Sequence, residues 1–324
     1  MHSPKTLLNQ IEQAIHEISY PSYPSALYEP ISYIMSLGGK RIRPTMLLMT
    51  ADLFNGDMQK AMPAALAIET FHNFTLIHDD IMDNAPLRRG KQTVHEKWGT
   101  NTAILSGDVM MVEANKQITR VDVSVLKSAL ETFNATAQGV CEGQQLDMEF
   151  ESRNDVSIEE YIDMIRLKTA VLLGGAMKLG AIVAGANEHE AGLAYDFGEN
   201  LGIAFQLQDD ILDVYGDPEK FGKQIAGDII ANKKTFLLIK LDELASQEDK
   251  VILEAAKQLG AQDVNSKIAQ VTDLYNRYNL RKIATQEMKI YLDRAFQAMD
   301  GIKVPEAQKK EIILLSRQLM NREY

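Results

Sequence analysis

The sequence is short of cysteine, of positive charge, of long apolar runs and of strand-like alternation, and each shortage excludes something. Cys141 is the only cysteine in 324 residues, so there is no disulfide framework and no cysteine metal site, which fits a reducing, cytoplasmic setting. Lys and Arg number 34 against 45 Asp and Glu, a net charge of -11. Phosphate neutralisation needs clustered cations, so a general nucleic-acid binder is excluded, as is binding to anionic membranes through overall charge. The longest weakly polar run, VLLGGAMKLGAIVAGA (171–186), has 16 residues and carries Lys178. A spanning helix needs about 20, so a core helix is expected there and not an integral membrane protein. The first residues, MHSPKTLLNQIEQAIHEI, lack a basic segment followed by an apolar one. They read as a mature amphipathic helix, not a signal peptide.

What is present is helical periodicity. The pattern predicts helices over roughly 5–19, 25–36, 42–54, 59–84, 100–118, 124–151, 157–185, 188–215, 231–245, 249–259, 263–297 and 304–322. Pro44 and Pro63 fit first-turn positions. Ser157 with Glu160 has capping-box spacing. Pro86 and Gly216-Asp217-Pro218 end helices. No linker, composition shift or short repeat marks a boundary, so residues 1–324 read as a single all-α domain.

Two stretches echo each other. FTLIHDDIMD (74–83) and FQLQDDILD (205–213) both carry DD-x-x-D at the end of an apolar helix, and Asp79 and Asp209 are 130 residues apart. Residues four apart share a helix face, with Cβ atoms roughly 5–6 Å apart. Asp79 and Asp83 therefore point the same way, as do Asp209 and Asp213, while Asp80 and Asp210 are rotated by about 100°. Burying carboxylates is costly unless something positive meets them. Hard oxygen donors in pairs suit Mg²⁺, which takes one or two carboxylates together with substrate phosphates. The expectation is that the two acidic helix ends face each other and hold metal-bound diphosphate. A lone cluster of this kind is an ordinary solvated face or cap; the repetition is what points to chemistry.

Cations flank the acids. Arg88-Arg89-Gly90 follows the first cluster, and GGKRIRP (38–44) lies one helix before it. Guanidinium forks bind phosphate oxygens bidentately, and the glycines let the backbone approach a ligand. Lys168-Thr169 lies in EEYIDMIRLKTAVLLGG, where the lysine either snorkels to water or enters a cavity. Lys223, Asp228 and Lys233 follow the second cluster, and the two lysines add positive charge where a leaving diphosphate needs it. A metal phosphohydrolase built on His78-Asp79 with His72 is a rival reading, but the six histidines offer no further set.

In order, GGKRIRP, HDDIMD-x-x-x-x-RRG, EGQQLD (142–147), LKTA (167–170), FQLQDDILD and GKQIAGD…NKKT resemble the signature blocks of the trans-isoprenyl diphosphate synthases, over about residues 36–235. The resemblance implies a terpenoid-synthase helical bundle around a deep central cavity, a homodimer and three Mg²⁺ ions. It implies head-to-tail condensation of an allylic diphosphate (dimethylallyl, geranyl or farnesyl) with isopentenyl diphosphate. By position, Asp79, Asp83 and Asp209 resemble the metal ligands, with Asp80, Asp210 and Asp213 as supporting acids. Lys40, Arg43, His72 and Arg89 resemble the isopentenyl diphosphate pocket. Arg88, Lys168, Lys223 and Lys233 resemble the allylic diphosphate clamp. Thr169 and Gln206 resemble the groups that face the reacting carbons. Arg322 resembles a C-terminal arginine that closes over isopentenyl diphosphate.

The product's length has its own signal. Thr75, Phe74 and Phe71 precede Asp79 by four, five and eight residues, which puts them roughly 6, 7.5 and 12 Å below it on a helix. A large side chain there acts as a floor for a growing tail. In the family, an aromatic five positions before the first aspartate resembles short-chain enzymes, and DDIMD has no two-residue insertion. The expected product is farnesyl to geranylgeranyl diphosphate, with the latter favoured. A class I terpene cyclase would usually replace the second acid cluster and needs no isopentenyl pocket. A non-catalytic partner subunit generally loses acids, and here all six remain.

Overall fold

The computed structural model describes residues 2–216 and 226–320, apart from the side chain of residue 261. The helices are α1 (Pro4–His16), α2 (Ser25–Ser36), α3 (Ile42–Leu53), α4 (Met58–Met82), α5 (Val94–Trp98), α6 (Thr100–Ile118), α7 (Leu126–Ser152) and α8 (Ile158–Ile165). A π-turn (Arg166–Ala170) leads into α9 (Val171–Val183), then α10 (Glu188–Tyr215), α11 (Gly227–Ile230), α12 (Phe236–Leu244) and α13 (Gln247–Lys257). A 3₁₀ turn (Ala261–Asp263) precedes α14 (Val264–Arg277), α15 (Leu280–Gly301) and α16 (Glu306–Met320). Among the described residues the only strands are β1 (Leu87–Arg88) and β2 (Lys91–Gln92), one antiparallel hairpin. No helix among them is long and apolar enough to cross a membrane.

The chain falls into two compact units. The first comprises residues up to Ala137 with Gly175–Tyr195 and Gly301–Ile313, and the second comprises Gln138–Gly174, Asp196–Asp300 and the residues from Leu314 on. In the first unit α4 packs against both α3 and α6. Eight consecutive residues of α4, Ala64–Phe71, are buried, so this helix is covered on every face and not along one stripe. Asp57 caps it by accepting from the Gln59 N–H at 2.8 Å. Because that cap starts the helix at Met58, Pro63 falls in its second turn and not its first, which corrects the sequence reading. The Gln59 carbonyl that Pro63 cannot serve lies at the exposed end of the helix.

The second unit has its own apolar core, with Phe150, Tyr161, Ile165, Ile203, Leu207, Phe236 and Leu274 among its buried side chains. The Ser157–Glu160 capping box forms as its spacing predicts and starts α8. The segment expected as one helix over 157–185 is divided by the π-turn. The segment expected as one helix over 263–297 is broken at Asn279, whose φ of 53° is left-handed.

Candidate active site

The first acid cluster closes α4. Asp83 is its C-cap, with its N–H on the Asp79 carbonyl at 2.9 Å. The 100° offset expected from helix geometry separates the acids. Asp80 is 1% exposed and is gripped by Arg88, whose Nε lies 2.8 Å from both carboxylate oxygens and whose Nη2 lies 2.6 Å from one. Burial pushes the Asp80 carboxyl above its usual pKa, and the Arg88 hydrogen bonds pull it back. Asp79 is half-buried, 3.6 Å from Arg88 Nη2, and Asp83 is exposed. Arg88 is held there by the hairpin. Arg89 and Gly90 form its two-residue turn with φ of 53° and 74°, the positive pair that a type I′ turn requires.

The GGKRIRP loop divides its cations. Arg41 is the left-handed N-cap of α3 and turns fully inward. It meets Glu12 at 2.9 Å, Glu69 at 2.6 Å and the Met35 carbonyl at 2.8 Å. Removing one partner from such a buried pair costs about 3–5 kcal/mol, so Arg41 is the anchor of the loop. Arg43 reaches His72, with Nη1 3.3 Å from Nε2. Burial first, then Arg43 and Arg89, hold the His72 pKa well below its ordinary value. Arg89 donates to the Gly38 carbonyl, and a Cβ on Gly39 would sit 2.9 Å from its guanidinium carbon. Gly39 is therefore the residue that lets Arg89 lie on this loop. The structure thus brings Arg43, His72 and Arg89 onto one loop-and-helix edge, with Lys40 exposed on the same loop.

The three residues below Asp79 are separated by burial. Phe71 is 0% exposed and packs against Phe74 and Phe133, with ring centroids 5.5 and 5.7 Å apart. Phe74 is half-buried and rests on the His78 ring at 4.7 Å. Thr75 donates to the His72 carbonyl at 2.8 Å. His78 turns Nε2 toward the Ile104 carbonyl at 3.2 Å, while His72 is engaged by Arg43. The two histidines are therefore committed to different neighbours.

The second cluster lies on α10 in the second unit. Asp210 is 3% exposed. It accepts from the Tyr161 hydroxyl, from the Phe236 N–H at 3.2 Å and from the Gln206 amide at 3.4 Å. Burial pushes its carboxyl up to about 7, against the pull of Tyr161. Asp209 and Asp213 are half-buried. Asp213 accepts from the Asp228 N–H at 3.1 Å and so caps α11. Lys168 sits on the π-turn, its Nζ 2.5 Å from Asp147, and Thr169 beside it is half-buried. Lys233 is exposed just before α12. Lys223 and Arg322 lie outside the described residues. Arg41, Asp147 and Tyr161 were not singled out by sequence reasoning. Arg41 and Asp147 had a signal in lying within the GGKRIRP and EGQQLD blocks; Tyr161 had none but its type.

The donor set fits Mg²⁺. In each cluster the middle acid is taken up inside the protein, and a pair of hard oxygen donors four residues apart keeps access to solvent. Among the described residues no three His, Cys, Asp or Glu side chains are gathered to hold a metal by themselves. An ion that completes its shell with water and phosphate oxygens needs no such cage. Arg88 stands beside the first pair, and in the second unit Lys233 lies near enough to Asp210 to pull its carboxyl down, while Lys168 pairs with Asp147. In each unit, acids and cations of this kind suit a metal-bound polyanion.

Comparison with known proteins agrees with that composition. The polyprenyl synthetase family model matches residues 24–275. A geranylgeranyl diphosphate synthase of Sulfolobus acidocaldarius is 40% identical over 281 residues, 84% of each chain. A short chain isoprenyl diphosphate synthase of Methanothermobacter thermautotrophicus is 36% identical over 97% of this chain and 95% of its own. A crystal structure of a geranylgeranyl pyrophosphate synthase superposes with a TM-score of 0.95 at 42% identity, covering all of both chains. The chain belongs to the polyprenyl synthetase family, that of the trans-isoprenyl diphosphate synthases with their helical terpenoid-synthase fold, and is a trans-prenyltransferase.

Proposed function

We propose that this transferase joins an allylic diphosphate to isopentenyl diphosphate head-to-tail and makes geranylgeranyl diphosphate in preference to farnesyl diphosphate. The observation that carries the reading is the division repeated in both clusters: a buried middle acid tied into the protein, and an accessible pair four residues apart. Dependence on Mg²⁺ is general in the family. Asp79, Asp83 and Asp209 would hold the ions, three in number. When bound, Mg²⁺ supplies the positive charge that draws electrons onto the departing diphosphate oxygens.

The chain's own residues do the rest. Arg88, Lys168, Lys223 and Lys233 take the allylic diphosphate and its growing charge, as preorganised donors do for a developing anion. Lys40, Arg43, His72 and Arg89 hold isopentenyl diphosphate with its double bond toward the allylic carbon. The allylic C–O bond breaks, the new C–C bond forms, and the departed diphosphate takes the proton. Thr169 and Gln206 face the reacting carbons, and apolar walls keep water from the cation. No side-chain nucleophile is required.

Phe74 is the floor for the tail and Phe71 backs it. The first is half-buried and the second fully enclosed. A homodimer is part of the reading, supported by Ile104, Leu105 and Val112, large apolar residues exposed by 40, 57 and 53% along α6. So is a cytoplasmic location, supported by the single cysteine.

The test is incubation with Mg²⁺, labelled isopentenyl diphosphate and each allylic diphosphate in turn, with the products separated by chromatography. Labelled geranylgeranyl diphosphate is expected. Asp79→Ala and Asp209→Ala should cut turnover by orders of magnitude with unchanged melting, and Phe74→Ala should lengthen the product. A cyclised hydrocarbon would make the protein a cyclase. Near-normal rates without Asp79 or Asp209 would end the metal assignment, and an unchanged product would remove Phe74 as the floor.

A further inference from the structure

One carboxylate registers the whole acid-and-cation edge of the second unit. Asp210 receives hydrogen bonds from two segments outside its own helix, each leading to or from a residue assigned to the diphosphate, and a third from Gln206 on its own helix. Tyr161 lies on α8, which runs into the π-turn bearing Lys168 and Thr169. Phe236 opens α12 three residues after Lys233, and its N–H donates at 3.2 Å. Gln206, one turn back on α10, donates at 3.4 Å. Asp209 is next to Asp210 in the chain, and Asp213 follows within a turn. A buried carboxylate is tolerated only when hydrogen-bonded, so these segments are held to it and thereby to one another.

Of the three donors, Phe236 gives a backbone group and Gln206 makes the longest bond. Tyr161 is different. Its ring belongs to the apolar core of the second unit, alongside Ile165, Leu207 and Phe236, and is 2% exposed. That core accounts for the ring and leaves the hydroxyl without an apolar reason to be there. A phenylalanine would fill the same space. The hydroxyl's use is the bond to Asp210.

We propose that Tyr161 is a positioning residue for diphosphate and its metal ions: through Asp210 it sets where Asp209, Gln206, Lys168 and Lys233 stand. The inference rests on the reading that these residues bind metal-bound diphosphate. It differs from a residue that merely satisfies a buried acid. Such a role lowers stability but leaves the affinity of the folded protein intact.

The experiment titrates Mg²⁺ with inorganic diphosphate into the full-length chain by calorimetry, for wild type and Tyr161→Phe. Melting temperatures and the KM of each substrate are measured alongside. The expected result is a ten-fold or greater loss of Mg-diphosphate affinity and a matching rise in the allylic KM. The isopentenyl diphosphate KM, which depends on residues of the first unit, should stay within two-fold. A lowered melting temperature with Mg-diphosphate affinity within two-fold of wild type overturns the inference. Should Tyr161→Phe not fold, the double variant Tyr161→Phe/Asp210→Leu makes the same test, because it removes the bond without leaving a buried carboxylate short of its donor. The same ten-fold loss is expected, and unchanged affinity overturns the inference. Wild-type protein that binds neither Mg²⁺ nor diphosphate overturns the reading of the acids, and this inference with it. Wild-type binding with unaffected variants overturns this inference alone.

Discussion

Arg43 has no acceptor atom, so its 3.3 Å contact with His72 Nε2 makes His72 the acceptor and puts the ring proton on Nδ1. Burial and the neighbouring Arg43 and Arg89 keep that ring neutral, its pKa well below the ordinary 6.5. As pH falls through 6.5 the unfolded chain binds a proton that the folded chain refuses. The contribution of His72 is therefore fully present above that pH and is lost below it. Asp210, raised to about 7, takes up a proton on folding and acts in the opposite sense over the same range, so the His72 effect is read as a difference. Between about pH 7.5 and about pH 5.5 the ligand-free wild type should lose melting temperature relative to His72→Gln, which keeps an acceptor for Arg43 but cannot titrate. A glutamine variant with the wild-type pH profile would remove His72 as the source. The same loop marks how far residue types reach. Arg41 and Arg43 are alike in GGKRIRP, yet one is a buried anchor and the other faces His72. Arg41's partners Glu12 and Glu69 are 29 and 28 residues away, and no spacing rule connects them. Phe71 and Phe74 could not be ranked from spacing either, because their difference is made by Phe133 from α7.

At the scale of elements, what is locally encoded was legible. The expected limits of α2, α6 and α10 are those observed, because apolar period and terminal residues are written within the segment. The π-turn was not legible. RLKTA is ordinary helical sequence, and its wider turn is enforced from outside. A Cβ on Gly143 of α7 would lie 2.1 Å from the Lys168 backbone nitrogen, and one on Gly202 of α10 would lie 2.7 Å from the Ala170 Cα. Lys168 is therefore presented from backbone clasped between two glycines. Gly143→Ala forces backbone against backbone, with no flexible side chain to yield. A loss of about 1–3 kcal/mol or more is expected, with turnover falling at least ten-fold as Lys168 shifts from Asp147. Gly139→Ala, one turn earlier, meets only side-chain methyls, of Val171 at 3.4 Å and Leu167 at 3.5 Å. It gains up to about 1 kcal/mol of helix propensity and should leave activity near wild type. Melting curves and rates of the two variants check this, and equal behaviour would mean that the clasp has no role.

For the whole molecule, the net charge of -11 sets a background that repels diphosphates, so the basic loop and hairpin of the first unit are where an anion is welcomed. The acid clusters and basic motifs could be read from the sequence because each is short and repeated or compact. The surface could not, since exposure is known only after the helices have packed. On α6 the periodic positions Ala103, Ser106, Gly107 and Met110 go inward, and the side left out carries Ile104, Leu105 and Val112. A second copy of the chain is the proposed cover for that side. In a two-fold interface each residue meets the same patch on its partner, so one substitution acts twice. Leu105 is 57% exposed, and a surface change to Leu105→Glu should alter the isolated fold by no more than about 0.5 kcal/mol. In a dimer it would bring two unpaired carboxylates into an apolar contact. Light scattering on eluted protein should then show a dimer for wild type and a monomer for Leu105→Glu. A variant that stays dimeric would move the interface off this side of α6, and a monomeric wild type would remove the dimer from the reading.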